Sequence, residues 1–436
     1  MQKYLFVSLL ALLPLSIPSA LLSYDINLIG FLNDIQSISR HTSSFISCLP
    51  DTDSIKLFQT NKCSPKDLTA AQKKILQHSI DLKDKFNLSQ LINNGLRLSG
   101  ITICTEHWWN KTNWRAYKAI PDDSIIKYHY CVTERTKLAS EWIAKLNSNF
   151  DALIVADDWL IDIYKSSGVK LPIFTLPLAL DLHSLLSRPI KRSVKKHFTF
   201  GFSGIFYPRK NQKLLINAFH EEFKNEPNVQ LVLQGRHTGA SYIKEIQDLL
   251  SSLNNKNITI IQKKFSRQEY ENFLAKIDCY VLLSKGEGFS ITPREALALG
   301  TPCILSNNTA HKVICESGCA YPVAANIIRS SFCYITGHYL GHDFNCTIKD
   351  ARKALREVYE NYNRYTEQAK HGRAWVQQYL PENLSTKYLN LVKPKKVILG
   401  NENKITENYL MTNSKVIFGK YRKLCGSSDT LFEVAK

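Results

Sequence analysis

The sequence predicts an α/β protein built from two domains, each a parallel sheet flanked by helices. Three observations carry that expectation. The chain has 436 residues, too many for one hydrophobic core, since cores stop growing near roughly 250–300 residues. Short apolar runs alternate with amphipathic stretches of about ten residues, the pattern of strands and crossover helices. Apolar residues make up 44% and charged residues 22%, globular proportions that exclude collagen, coiled coil and long disorder.

The chain opens with Lys3 and the apolar run Leu5–Leu22 (LFVSLLALLPLSIPSALL). As a helix this would reach about 27 Å, barely a bilayer core, and Pro14 and Pro18 interrupt it. A basic start, an apolar middle and the small residues Ser19 and Ala20 suit a signal-like or anchor segment over residues 1–23. Retained, it makes the protein membrane-associated; cleaved, exported. A hydrophobic first core segment is the alternative.

A first domain is expected over residues 24–187. Its strands are read at Asp25–Phe31, Ser54–Phe58, Leu98–Cys104, Phe150–Ala156 and Pro172–Leu176. A polar stretch with Leu and Ile at helical spacing covers Asp67–Leu91, and a helix at Trp159–Ser166 is stopped by Gly168. The stretch Arg188–Lys196 (RPIKRSVKK), with five basic residues in nine, reads as a solvated linker, or else as a contact for anionic lipid or an acidic acceptor.

The second domain, 188–372, is more regular. Strands are expected at Phe198–Ser203, Val229–Leu233, Ile258–Ile261, Cys279–Leu283 and Pro302–Leu305. Helices are expected at Asn211–Phe223, Tyr242–Leu250 and Pro293–Leu299, with another opened by the capping pair Ser266 and Glu269. The tail 394–436 is basic and weakly patterned.

Lys and Arg exceed Asp and Glu by 56 to 38, a net charge of +18. Such a surface favours phosphates, acidic ligands or an anionic membrane surface. The basic residues are dispersed and no nucleic-acid module is present, so nucleic acid is not an expected partner. Eleven cysteines form no scaffold pattern. Cys104, Cys279 and Cys303 sit in apolar runs as small hydrophobes. Cys315 and Cys319, with His338 and His342 nearby, lack the second cysteine pair of a zinc site, and no metal is expected.

In open α/β sheets ligands bind beyond the carboxyl ends of the strands, so the loops there are the candidate site. After Cys279–Leu283 the chain reads SKGEGFSITPRE, residues 284–295. Gly286 and Gly288 let backbone approach a ligand, and the unpaired amides at the following helix start suit a phosphate. Glu287 and Glu295 offer carboxylates to sugar or ribose hydroxyls; two exposed glutamates at a helix start are the bland reading. After Phe198–Ser203 the loop GIFYPRKN, residues 204–211, sets Arg209 and Lys210 before a helix N-terminus, where two cations oppose the dipole unless an anion joins them; an exposed basic turn is the bland reading. A GxGxxG fingerprint, a Walker A sequence and a GxSxG elbow are all absent from the sequence.

At these residues the sequence resembles the family 4 retaining glycosyltransferases of the GT-B fold. Glu287 to Glu295, running on as ALALGTPCI, is similar to their E-x7-E element, and Gly204–Phe219 to their first loop and helix of the second domain. Phe150–Asp181 resembles the last strand–helix–strand of their first domain, and the stretch from Arg373 (RAWVQQYL) their closing helix, here 373–393. The resemblance implies two facing Rossmann-like domains and transfer of a sugar, with retention, from a nucleoside-diphosphate sugar to a glycan, lipid or protein acceptor.

No cofactor or metal is implied beyond that co-substrate. Glu287 would contact the donor sugar and Glu295 the ribose. Amides around Gly288, Phe289, Ser290 and Ile291 would cradle the diphosphate, with Gly204, Arg209 and Lys210 opposite. The family usually carries Arg directly after the first glycine of that loop, where this chain has Ile205. His107 is the candidate for the first-domain histidine near the reacting sugar, and His129 the second; a structural histidine packed by Trp108 and Trp109 is the other reading. A lapsed relative that only binds sugar nucleotide or glycan, and a basic membrane-surface protein, remain the alternatives.

Overall fold

The computed structural model describes residues 26–32, 39–61, 68–106, 117–190, 197–236, 240–333, 336–392, 396–398 and 430–432. The apolar run 5–22, His107 and most of the 394–436 tail lie outside them. No helix among the described residues is long and apolar enough to cross a membrane.

The apolar runs of the first half form β1 (Ile26–Gly30), β2 (Ile55–Gln59), β3 (Ile80–Asp81), β4 (Leu98–Cys104), β5 (Asp122–Cys131), β6 (Ala152–Val155) and β7 (Ile173–Thr175). They make one sheet in the order β3-β2-β1-β4-β5-β6-β7, and every pairing is parallel. Parallel strands need crossovers, and helices supply these between β1 and β2, β2 and β3, β3 and β4, β5 and β6, and β6 and β7. The helix Trp159–Ser167 ends on Gly168 at φ 109°, a conformation that costs glycine least.

Several elements of the first half depart from the sequence reading, the helices Ser39–Cys48 and Ser140–Asn149 among them. The polar stretch after Asp67 is two helices, Ala70–Gln77 and Lys85–Asn93, with β3 between them. The longest strand of the sheet, β5, was not anticipated: it opens on Asp122, Asp123 and Ser124, and only its second half is buried.

The second half forms β8 (Phe198–Ser203), β9 (Val229–Gln234), β10 (Ile258–Ile261), β11 (Cys279–Leu282), β12 (Cys303–Ser306) and β13 (Tyr321–Val323), all parallel, in the order β10-β9-β8-β11-β12-β13. The chain order reverses direction across the sheet between β8 and β11, so the loops after these two adjacent strands open onto one crevice. Ser266 and Glu269 make both bonds of the capping box, 3.2 Å and 2.9 Å, at the start of the helix Arg267–Lys276.

Beyond β13 the chain forms an unanticipated antiparallel hairpin, β14 (Ile327–Phe332) with β15 (Tyr339–Asn345). It reaches the first domain: the Lys137 amide donates to the Leu340 carbonyl (3.1 Å) and the His342 amide to Thr136 Oγ1 (2.8 Å). The return crossing differs in detail from the expected helix at Arg373. Arg373 lies near the end of a helix Tyr362–Trp375, and its guanidinium donates to the Arg188 carbonyl at 2.9 Å. After a 3₁₀ turn the helix Pro381–Val392 lies against the first domain, with the Tyr388 hydroxyl donating to the Pro177 carbonyl (2.9 Å) and its ring edge-on to Phe45.

The domains also share a buried cation. Arg294 is fully buried, with its guanidinium 3.9 Å from the Phe289 ring centroid and 4.8 Å from that of Tyr379, and it reaches Asp157 of the first domain at 3.5 Å. Burial raises the Asp157 carboxyl to about 6, although Arg294 pulls it back. Cys104, Cys279 and Cys303 are buried free thiols.

Candidate active site

The loop after β8 is pinned to its neighbours by main-chain bonds. The Gly204 amide donates to the Gln234 carbonyl (3.0 Å) and the Phe206 amide to the Arg236 carbonyl (2.7 Å). Pro208–Lys210 make one 3₁₀ turn, and Asn211, at φ 61°, then starts the helix Gln212–Phe223. The Asn211 amide group donates to the Leu283 carbonyl at 3.0 Å, and the Lys285 amide donates to the Arg209 carbonyl at 2.8 Å. These two bonds bring Arg209 and Lys210 against the glycine loop that follows β11.

That loop is held from beneath by the helix Thr309–Glu316. The Glu287 amide donates to Thr309 Oγ1 (2.8 Å), and the Glu287 carbonyl accepts from the Ala310 amide (3.2 Å). Ser290 Oγ lies 2.8 Å from His311 Nε2, with the other ring nitrogen 3.2 Å from the Ser306 carbonyl. Burial takes the His311 imidazole down to about 4, although Glu287 opposes this, so the ring is neutral near pH 7. Ser290 sits at φ 62° as the residue before the helix Ile291–Ala298. The amides of Gly288, Phe289 and Ser290 have no acceptor among the described residues, the open donors an anion would use.

The anion that the two cations call for is, in this structure, Glu287. Its Oε1 accepts from Lys210 Nζ at 2.7 Å and lies 3.1 Å from Arg209 Nη1. Burial alone would push this carboxyl up, but Lys210 and Arg209 overcome it and hold it well below the usual glutamate range. Arg209 also donates to the Gly286 carbonyl and pairs with Glu134 of the first domain at 3.1 Å. Its guanidinium thus clamps the loop, whereas Lys210, with three ammonium donors, keeps capacity for another acceptor.

Glu295 stands in the second turn of its helix, one turn later than expected, because the helix begins at Ile291 rather than Pro293. Its carboxylate is engaged: the Tyr270 hydroxyl donates to Oε2, and Oε1 faces Arg267 at 3.0 Å and Arg40 of the first domain at 3.6 Å.

The two loops meet at one cavity of about 410 Å³ between the domains. Gly204, Arg209, Lys210, Glu287, Gly288, Phe289, Ser290, Ile291 and Glu295 all contribute to its wall. From the first domain come Arg40, His41, Val132, Glu134 and Leu178, none of which the sequence reading had singled out. Of the two candidate histidines, His107 lies outside the described residues. His129 is not in the wall; it is buried on β5 with its ring 4.8 Å from Phe150 and Nδ1 2.9 Å from Cys131 Sγ. The first-domain histidine that lines the cavity is His41, stacked on Tyr130 at 4.7 Å, its Nδ1 without a partner among the described residues. Burial lowers it to about 4, so it is neutral near pH 7.

Residues 186–326 match the family described as glycosyl transferases group 1. Several solved structures match this fold over most of the chain. The HepE protein of Anabaena in complex with UDP-glucose is 11% identical, with a TM-score of 0.61 over 85% of this chain and 99% of its own. Sucrose-phosphate synthase of Thermosynechococcus elongatus is 15% identical, with a TM-score of 0.58 over 84% and 98%. The pneumococcal O-GlcNAc transferase GtfA in complex with UDP and GlcNAc is 15% identical, with a TM-score of 0.52 over 71% and 60%. A search of curated protein sequences finds no match to this chain. The fold is therefore GT-B, two Rossmann-like domains with parallel sheets facing one another across the cavity.

Proposed function

We propose that this protein is a glycosyltransferase that moves a sugar from a nucleoside-diphosphate sugar to a hydroxyl of a glycan, lipid or protein acceptor, with retention of configuration. One observation carries the reading. The switch point of the second sheet brings an incompletely paired ammonium, Lys210, and the open amides of Gly288, Phe289 and Ser290 to one interdomain cavity. Fixed donors facing a leaving diphosphate are electrostatic stabilisation of the kind that contributes most to transferase chemistry. The match to glycosyl transferases group 1, and similarly folded proteins in complex with UDP-glucose or with UDP and GlcNAc, support the same donor class.

In this reading each group has a separate task. Lys210 and the loop amides receive the charge that develops on the departing phosphate. Glu287 keeps Lys210 oriented and offers its second oxygen to donor-sugar hydroxyls. Glu295 exchanges Arg40 or Arg267 for ribose hydroxyls. His41, neutral and buried at the first-domain wall, faces the side from which an acceptor enters. A donor screen that measures release of nucleoside diphosphate tests the proposal. Release from at least one sugar nucleotide supports it; tight binding with no release for any donor or acceptor would leave a binding protein on the same scaffold.

A further inference from the structure

The cavity wall carries seven lysines and arginines against three glutamates. Ion pairing divides them unevenly. Arg209 and Lys210 are held by Glu287, and Arg209 by Glu134 as well. Arg40 and Arg267 are held by Glu295, and Lys263 by Glu269. Two cations of the wall, Arg236 and Lys264, have no carboxylate partner among the described residues, and both are exposed.

Arg236 is the better placed of the two. It follows β9, which pairs directly with β8, whereas Lys264 follows β10 one strand further from the switch point. The Phe206 amide donates to the Arg236 carbonyl at 2.7 Å, so Arg236 lies beside Ile205 across the two loops. The approach is close: a side chain at Gly235 would collide with the Gly204 carbonyl. Ile205 also lines the cavity but brings no charge. An uncompensated guanidinium next to an apolar residue in the wall of this cavity is a donor fork awaiting two oxygens.

From this juxtaposition we infer that Arg236 is a binding residue for the diphosphate, reaching it from the loop after β9 at the point where the loop after β8 presents Ile205. The inference rests on the nucleotide-sugar reading of the cavity. It assigns Lys210 and Arg236 as the two cations of the diphosphate, and leaves Arg209 as the clamp of the glycine loop.

The test is calorimetric titration of the full chain with UDP, GDP and ADP, and with the corresponding nucleosides, for wild type, Arg236→Ala and Arg236→Lys. Because Arg236 is exposed, both variants are expected to unfold at the wild-type temperature. For whichever diphosphate binds, Arg236→Ala should weaken the affinity about ten- to a hundredfold, the scale of a lost charge-assisted pair. Nucleoside affinity should not change, and Arg236→Lys should recover part of the loss. Diphosphate affinity within twofold of wild type in Arg236→Ala overturns the inference, as does an equal loss for nucleoside and diphosphate. If wild type binds none of the diphosphates, the nucleotide reading itself falls and this inference with it.

Discussion

Lys210 and Glu287 lie in the loops after two different strands of one sheet, 77 residues apart, and meet at 2.7 Å. The bond closes the crevice between the loops after β8 and β11 while leaving two ammonium hydrogens and one carboxylate oxygen for other partners. A buried pair of this kind is weak evidence of stability, because desolvation of both ions offsets their attraction. Its place at the sheet switch point, beside open amides, is what gives it a functional meaning.

Removing one partner of the pair tests both roles. Glu287→Gln leaves Arg209 and Lys210 partly uncompensated in a buried site, and is expected to lower unfolding free energy by about 3 kcal/mol, near the lower end for a broken buried pair. Glu287 ionises below its ordinary value of 4.5 in the folded protein. Its contribution is therefore complete above that value and is lost as pH falls below it. Urea denaturation should show the gap between wild type and Glu287→Gln narrowing from pH 7 towards pH 3. A gap independent of pH would contradict the assignment.

Lys210→Ala and Glu295→Ala should separate in steady-state kinetics. On the proposed function Lys210 acts on charge that appears in the transition state, so its loss should cut kcat by about 10²–10³. On the same proposal Glu295 serves ground-state binding of the nucleotide, so its loss should raise donor KM with a smaller change in kcat. The reverse pattern would exchange the two roles.

Gly286 faces the first domain so closely that a methyl group there would collide with the Glu134 carbonyl. Gly286→Ala must push the glycine loop away from residues 132–137 or distort it. Activity is expected to fall at least tenfold, because misplacements of about 1 Å cost that much or more. Circular dichroism should stay native-like.

Asp157 gives a pH dependence of opposite sign. Its folded value of about 6 lies above the ordinary 3.8, so its protonated form favours the fold. That contribution is complete below about 3.8 and is lost as pH rises through about 6. Relative to Asp157→Asn, wild type should therefore lose stability between pH 4 and pH 7, measured as the difference in urea midpoints.

Most of the second sheet was legible because its strands are short apolar runs between clear helix signals; Ile258–Ile261 and the Ser266–Glu269 cap are examples. The two loops that meet at the cavity were legible because strand ends and glycines mark them. The first-domain half of the site was not. Arg40 and His41 sit in the helix Ser39–Cys48 (SRHTSSFISC), whose small polar residues are buried yet show no apolar periodicity. Glu134 follows β5, whose acidic opening hides a core strand. Nor could local pattern show that Glu287 neutralises Arg209 and Lys210, because that contact exists only once β8 and β11 pair.

The most direct measurement is a crystal structure of the protein soaked with UDP. Phosphate oxygens within hydrogen-bond distance of Lys210 Nζ and of the Gly288–Ser290 amides are the expected result. Clear density for the nucleotide elsewhere on the molecule, with this crevice still closed by Lys210 and Glu287 alone, would contradict it.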